Sequence, residues 1–218
     1  MAKTQGQKDR RANLIRATVA AVIEHGADVK LTEIAKKAGL TSGAVLYHYP
    51  DVQTLVLEAN RAGTERFYDE RMRTIAAIDD PVEKLVVTIR SGLPRDTDDD
   101  AVRLFCELGG AARRHPVYGS LLTSLYDRQV AMYQVILETG AARGDFALAQ
   151  DSLTIGRNLV ALEDAYGYRM MAGHPTIDHE VACELLLDYA RLATGNPLSA
   201  KPTDPTSSPT DPEGPTDA

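Results

Sequence analysis

Residues Leu31 to Leu55 read LTEIAKKAGLTSGAVLYHYPDVQTL. A short amphipathic helix carrying Ile34, Ala35 and Ala38 is expected to stop at Gly39, which suits a left-handed turn. Thr41 then caps a second helix, and Leu40 can staple onto Val45. Pro50 ends that helix, and Asp51 can cap a long following one. Two short helices joined by a glycine turn form the helix-turn-helix plan, whose second helix enters the major groove with its N-terminal side chains at base edges. Here those side chains are Ser42, Ala44 and Tyr47, with Gly43 permitting close backbone approach. The plan alone fits an ordinary helical corner as well as a DNA reader.

Outward from this stretch the chain reads helical. Period-two β-branched runs are absent, and apolar residues recur at three and four. Ile15, Val19, Val22 and Ile23 make one stripe, stopped at Gly26. Asp80-Pro81-Val82-Glu83 reads as a cap, a proline at the first helical position and an acid at the third. Thr97 to Asp100 open another helix with acids at its positive end, and Arg113, Arg114 and His115 close it before Pro116. From Pro116 to about Ala142, Leu122, Leu125, Met132 and Ile136 form one apolar side and Tyr126, Val130, Tyr133 and Leu137 a second, so this helix is packed on two sides. Ile155, Leu159, Leu162, Tyr166 and Met170 mark a further helix, and Thr176 is expected to start the last. The sequence predicts an all-α fold of about nine helices.

The 218 residues carry a net charge of −7, distributed unevenly. Residues 1–63 hold nine Lys/Arg against six acids, and the remainder fifteen against twenty-five. A basic N-terminal unit on an acidic body suits a local anionic partner. Lys3, Lys8, Arg10 and Arg11 read as a flexible basic arm fit for phosphate or minor-groove contact, or as a solvated tail. Two cysteines, Cys106 and Cys183, make no disulfide framework and are expected to be buried, inert thiols. No apolar stretch approaches the roughly 18 residues of a spanning helix, and no leader-type apolar run follows the N-terminus, so the expected location is the cytoplasm. From Gly195 onward six of the eleven prolines occur with almost no large apolar side chain, a composition expected to stay disordered.

The run Ile34-Ala35-x-x-Ala38-Gly39-Leu40-Thr41-x-Gly43-x-Val45-x-x-His48-Tyr49, followed by Leu55, resembles the TetR family of transcriptional regulators. The resemblance implies three N-terminal DNA-binding helices and a helical body that binds ligand and dimerises. It divides the chain into a DNA-binding unit (residues 1–50), a body (51–195) and a Pro/Thr/Asp-rich tail (196–218). It puts Ser42, Gly43, Ala44 and Tyr47 at base or groove contacts, Thr32 at a further base-reading position, and Tyr47 and His48 at phosphate; Thr41 joins this set as the cap. Two positions depart from the family pattern. Val52 stands where many members have a phosphate-binding lysine, and Val29-Lys30 stands where many cap the second helix with Ser or Thr, Lys30 partly replacing the lost anchor.

Ligand pockets in helical bodies mix apolar walls with a few polar groups. The two-sided helix is the candidate wall, with Tyr126 and Tyr133 on it and Arg90, Phe105, Glu107, Asn158 and Asp164 on flanking helices. The last two helices carry spare apolar surface, and Leu159, Leu162, Tyr166, Val181, Leu185, Leu186, Tyr189 and Leu192 are the candidate dimer interface. Enzyme and metal patterns do not assemble: HExxH, GxSxG, P-loop and CxxC are missing, and His174, Asp178 and His179 straddle a loop. The expected function is a homodimeric, sequence-specific DNA-binding regulator, a repressor released from a palindromic operator by a small molecule, without cofactor or membrane partner. The alternatives are a DNA-binding co-regulator without a ligand and an all-α protein-interaction module.

Overall fold

The computed structural model of the chain describes residues 2–199. Among them are nine helices and no strand: α1 (Ala2–His25), α2 (Leu31–Ala38), α3 (Ser42–His48), α4 (Val52–Ala76), α5 (Pro81–Ser91), α6 (Asp100–Ala111), α7 (Pro116–Arg143), α8 (Ser152–Met171) and α9 (His179–Thr194).

Side-chain caps set most helix starts. The hydroxyl of Thr41 accepts from the Ala44 N–H (3.2 Å), and Asp51, Asp80 and Asp99 accept from first-turn amides of α4, α5 and α6. Lys30 precedes α2 with no acceptor of its own. The Glu33 carboxylate instead takes the Lys30 backbone N–H at 2.7 Å, one half of a capping box. Gly39 ends α2 at φ +67°, and the Leu40 N–H returns to the Ala35 carbonyl, the Schellman-type turn that fixes the α2–α3 corner. The last helix starts at His179, three residues later than Thr176, because Asp178 supplies the cap to the Val181 N–H.

Two apolar clusters result. The first joins Leu14, Val22, Ile34, Val45, Tyr49 and Leu55 to Leu104, Leu108 and Tyr118, so α1–α3 are packed onto α4, α6 and the start of α7. The second fills the space among α5, α7, α8 and α9, with Leu85, Ile89, Tyr133, Leu137, Ile155, Leu159, Leu186 and Ala190. The 25-residue α4 runs past both. The apolar face of α1 is turned from the stripe read in the sequence. Leu14, Ala17, Ala21 and Val22 are buried, while Ile15 and Val19 are half-buried and open onto a cleft.

Two further readings are corrected. Helix α1 is continuous from Ala2, so Lys8, Arg10 and Arg11 belong to a helix and not to a flexible arm; the Lys3 side chain lies outside the described residues. The tail reading also starts too early. Leu198 is 5% exposed and belongs to the second cluster, and the Asn196 amide donates to the Asp145 carbonyl (2.9 Å). Residues 200–218, the rest of that reading, lie outside the described residues.

Candidate nucleic-acid interface and ligand cleft

Helix α3 is held from behind and bare in front. Val45 is fully buried beneath it and Tyr49 closes its C-terminal end, whereas Tyr47 is 86% exposed. Lys30, Thr32, Thr41 and Gly43 are exposed, and Ser42, Ala44 and His48 are half-buried. Tyr47 and His48 stack edge to face at 5.2 Å between centroids. The N-terminal end of α3, capped by Thr41, gives this corner positive end-of-helix character.

The basic residues around it are not all available. Arg11 is paired with Glu58 of α4 beside the Tyr49 hydroxyl, and Lys37 is paired with Glu24 of α1. Burial, and next the Glu58 carboxylate, push the Tyr49 hydroxyl up to about 12. Arg11 therefore pins α1 against α4 in this structure.

A second tie joins the N-terminal helices to the body. Asp28, in the α1–α2 turn, accepts from Arg114 (2.9 Å) and pairs with the His115 ring (3.1 Å) in the α6–α7 turn. His115, then Arg114, hold its carboxyl below the usual range.

The body contains a cleft of about 1200 Å³. Its walls come from α1 (Ile15, Val19), α4 (Ala59, Gly63, Phe67, Arg71), α5 (Val87, Arg90), the α5–α6 loop (Leu93 and Asp96 among others), α6 (Leu104) and the start of α9 (His179). Five arginines and five acids line it, so neither sign is in excess. Phe67 meets Phe105 edge to face at 6.0 Å.

At the cleft wall lies a buried polar cluster. Arg71 and Glu163 are 2% and 3% exposed. The Arg71 guanidinium donates to Glu163 through Nη1 (3.2 Å) and Nη2 (2.7 Å), and through Nη2 also to the Thr88 carbonyl (2.7 Å) and the Tyr133 hydroxyl (3.2 Å). The Tyr133 hydroxyl in turn donates to Glu163. Burial raises the Glu163 carboxyl against the opposing pull of Arg71, and burial and Glu163 together raise Tyr133. The Arg71 Nε is buried without a partner. A buried polar group left in that state costs about 1–3 kcal/mol.

The seven residues expected around a ligand separate. Arg90 lines the cleft, though its guanidinium is shared between Glu180 (3.2 Å) and Glu184 (3.4 Å). Tyr133 and Phe105 reach it at one remove, through Arg71 and Phe67. Glu107, Asn158 and Asp164 are exposed and Tyr126 is half-buried, and none of the four is among the cleft's lining residues. Sequence reading missed Phe67, Arg71 and Glu163. One signal was present: Glu163 lies four residues after Leu159 and seven before Met170, on the buried face of α8. A charge on such a face calls for a partner.

On the α8–α9 side, Val181, Leu185 and Leu192 are exposed, Leu192 by 80%, and Leu162, Tyr166 and Tyr189 are half-buried. The Asn158 amide donates to the Tyr189 hydroxyl across this surface (2.8 Å). Leu159 and Leu186 depart from the expected interface: both are fully buried inside the chain and have no surface to offer a partner. Cys183 is also fully buried, its thiol pushed up to about 11 by burial, whereas Cys106 is half-buried. Among the described residues no helix is long and apolar enough to cross a membrane.

No protein-family model matches the sequence, and no curated protein matches it. Solved structures do. A protein described as a transcriptional regulator from Saccharomonospora viridis, in complex with choline, superposes with a TM-score of 0.77 at 22% identity, over 84% of this chain and 96% of that one. A TetR transcription regulator from Haloarcula marismortui gives 0.77 at 22% identity, over 86% and 99%. FadR from Bacillus subtilis, in complex with stearoyl-CoA, gives 0.68 at 16% identity, over 84% and 98%. The chain has the fold of TetR-family transcriptional regulators.

Proposed function

We propose that the chain is a sequence-specific DNA-binding regulator that acts as a homodimer, a repressor released from a palindromic operator by a small molecule. The observation that carries this reading is α3, capped and buried on one side while Tyr47 stands free on the other, within the fold of a family of regulators. Residues 1–50 are the DNA-reading unit, and the body runs from 51 through the docked Leu198. Lys30, Thr32, Thr41, Ser42, Gly43, Ala44, Tyr47 and His48 are the proposed contacts to base edges and phosphates. The exposed strip on α9 with Leu162, Tyr166 and Tyr189 is the proposed two-fold contact, which would present two copies of α3 to grooves about 34–36 Å apart.

Release needs a ligand that binds one body conformation better than another. The cleft supports this, because its walls include Ile15 and Val19 of α1 as well as body helices. An occupant would touch both units, and α6 runs from Leu104 at the cleft to Ala111, just before the turn that carries Arg114 of the tie to Asp28. The cleft also favours this reading over a regulator without ligand. Structural neighbours hold chemically different molecules, choline and stearoyl-CoA, so the fold alone does not choose the occupant.

The test is selection of duplexes from a random pool by the full-length protein, followed by affinity measurement at several salt concentrations. An inverted repeat is expected, with a log–log salt slope of roughly −5 to −7 if a dimer neutralises about six to eight phosphates. Failure to enrich any sequence would reject the reading.

A further inference from the structure

We propose that Arg11 and Glu58 are a positioning pair for α3. Their ion pair sets the angle of the recognition helix against α1 and α4, and Arg11 serves DNA reading through that pair and not by touching a phosphate. The inference rests on reading α3 as a DNA reader and names two residues outside α3 that its reading requires. Helix α3 has seven residues, too few to hold a direction without its neighbours. Only Tyr49, Pro50 and Asp51 separate it from α4, so the placement of α4 fixes its C-terminal end. Tyr49 caps that end, is 6% exposed, and its hydroxyl lies beside both Arg11 and Glu58.

Arg11 shares a face of α1 with the fully buried Leu14 and Thr18, so it is turned toward the interior of the three-helix unit. Its Nε donates to Glu58, two turns into α4, whose side chain is 22% exposed. The charge of Arg11 is thereby met within the protein. A phosphate drawn to it would also meet the Glu58 carboxylate, and a pair that is already neutral has little counterion release to offer. The same pair joins α1 to α4 beside the residue that ends α3. A partly exposed ion pair adds little to overall stability, so its consequence here is geometric.

The test uses the full-length protein and two duplexes, the inverted repeat that it selects and a scrambled one of equal length and composition. Affinities are read well below the melting temperature of each variant, so that lost stability does not enter. Glu58→Gln and Arg11→Met should each bind the repeat about tenfold more weakly. Binding to the scrambled duplex should stay within threefold of wild type, and the log–log salt slope within about one. The charge swap, Arg11→Glu with Glu58→Arg, should bind the repeat at least fivefold tighter than Arg11→Glu alone. A phosphate contact by Arg11 gives a different pattern. Arg11→Met would then flatten the slope by about two per dimer and weaken both duplexes alike, and Glu58→Gln would tighten binding by freeing the cation. Either result overturns the inference, as does a swap no tighter than Arg11→Glu. Hydrogen exchange without DNA separates this inference from the regulator reading. Amides of residues 42–49 should exchange several-fold faster in Glu58→Gln, with those of α7 and α8 unchanged. A faster α3 in a protein that selects no duplex refutes the regulator reading alone, and an unchanged α3 in one that selects a duplex refutes only this inference.

Discussion

Replacing Gly92 by alanine sets two opposite effects against each other. Gly92 ends α5 at φ −86°, ψ −12°, a right-handed conformation that alanine adopts without strain. Backbone entropy alone would make Gly92→Ala stabilising by up to ~1 kcal/mol. The new Cβ, however, would lie 1.9 Å from Glu163 Oε1, 2.4 Å from its Cδ and 2.5 Å from Arg71 Nη2. Neither side chain can swing to solvent, since both are almost fully buried and bonded to each other, to Thr88 and to Tyr133. Room for the methyl group comes only from parting a buried ion pair, a loss of about 3–5 kcal/mol when one partner is removed outright. The clash wins, and a net destabilisation of ~2–4 kcal/mol is expected. Urea denaturation followed by circular dichroism should show a midpoint lowered by about 1 M or more, at a slope typical of a protein of this size. In an Arg71→Met, Glu163→Ala background the same substitution should cost little, because the atoms it meets are gone. A Gly92→Ala protein as stable as the wild type would refute the argument, since it would mean that the cluster is not packed against Gly92.

Other outcomes follow from the same contacts. Leu192→Glu, at a residue 80% exposed on α9, should leave the protomer folded and convert a dimer into a monomer in sedimentation velocity; an unchanged sedimentation coefficient would place the two-fold contact elsewhere. Truncation after Ser199 should leave the melting temperature unchanged, whereas truncation after Gly195 removes the buried Leu198 and should cost about 1.5–3 kcal/mol; equal stability of the two would show that Leu198 is not docked. Cys106 should react with iodoacetamide in the native protein and Cys183 only on unfolding, which mass spectrometry of the labelled peptides decides. The Cys183 thiol is raised from 9.0 to about 11 in the fold, so the unfolded chain loses that proton first and this group's stabilisation falls as pH climbs through that interval.

The local grammar of the fold was legible in the sequence. Thr41, Asp51 and Asp80 cap the helices they precede, and Gly39 turns left-handed between α2 and α3. These are short-range hydrogen-bonding and steric effects, written within four residues of chain. What depends on which face meets which neighbour was less legible. Leu159 and Leu186 belong to apolar stripes like those of Leu162 and Leu192, and only packing decides that the first two are core and the last stands in solvent. Leu198 directly follows Pro197 at the start of a proline-rich stretch, yet this single leucine is buried in the second cluster. The Arg71–Glu163 pair joins residues 92 positions apart, and no local pattern links them. The glycine that makes space for the pair carries no local signal either, because its backbone conformation does not require glycine.

The central claim is that α3 reads DNA through its exposed face, and Tyr47 tests it most directly. Its side chain is 86% exposed and its only ring neighbour among the described residues is His48, so Tyr47→Ala should leave helicity, melting temperature and sedimentation unchanged. If each subunit loses a contact worth about 1–3 kcal/mol, affinity for the selected inverted repeat should fall by at least tenfold. Affinity unchanged within twofold, with the fold intact, would contradict the assignment of α3 as the recognition helix.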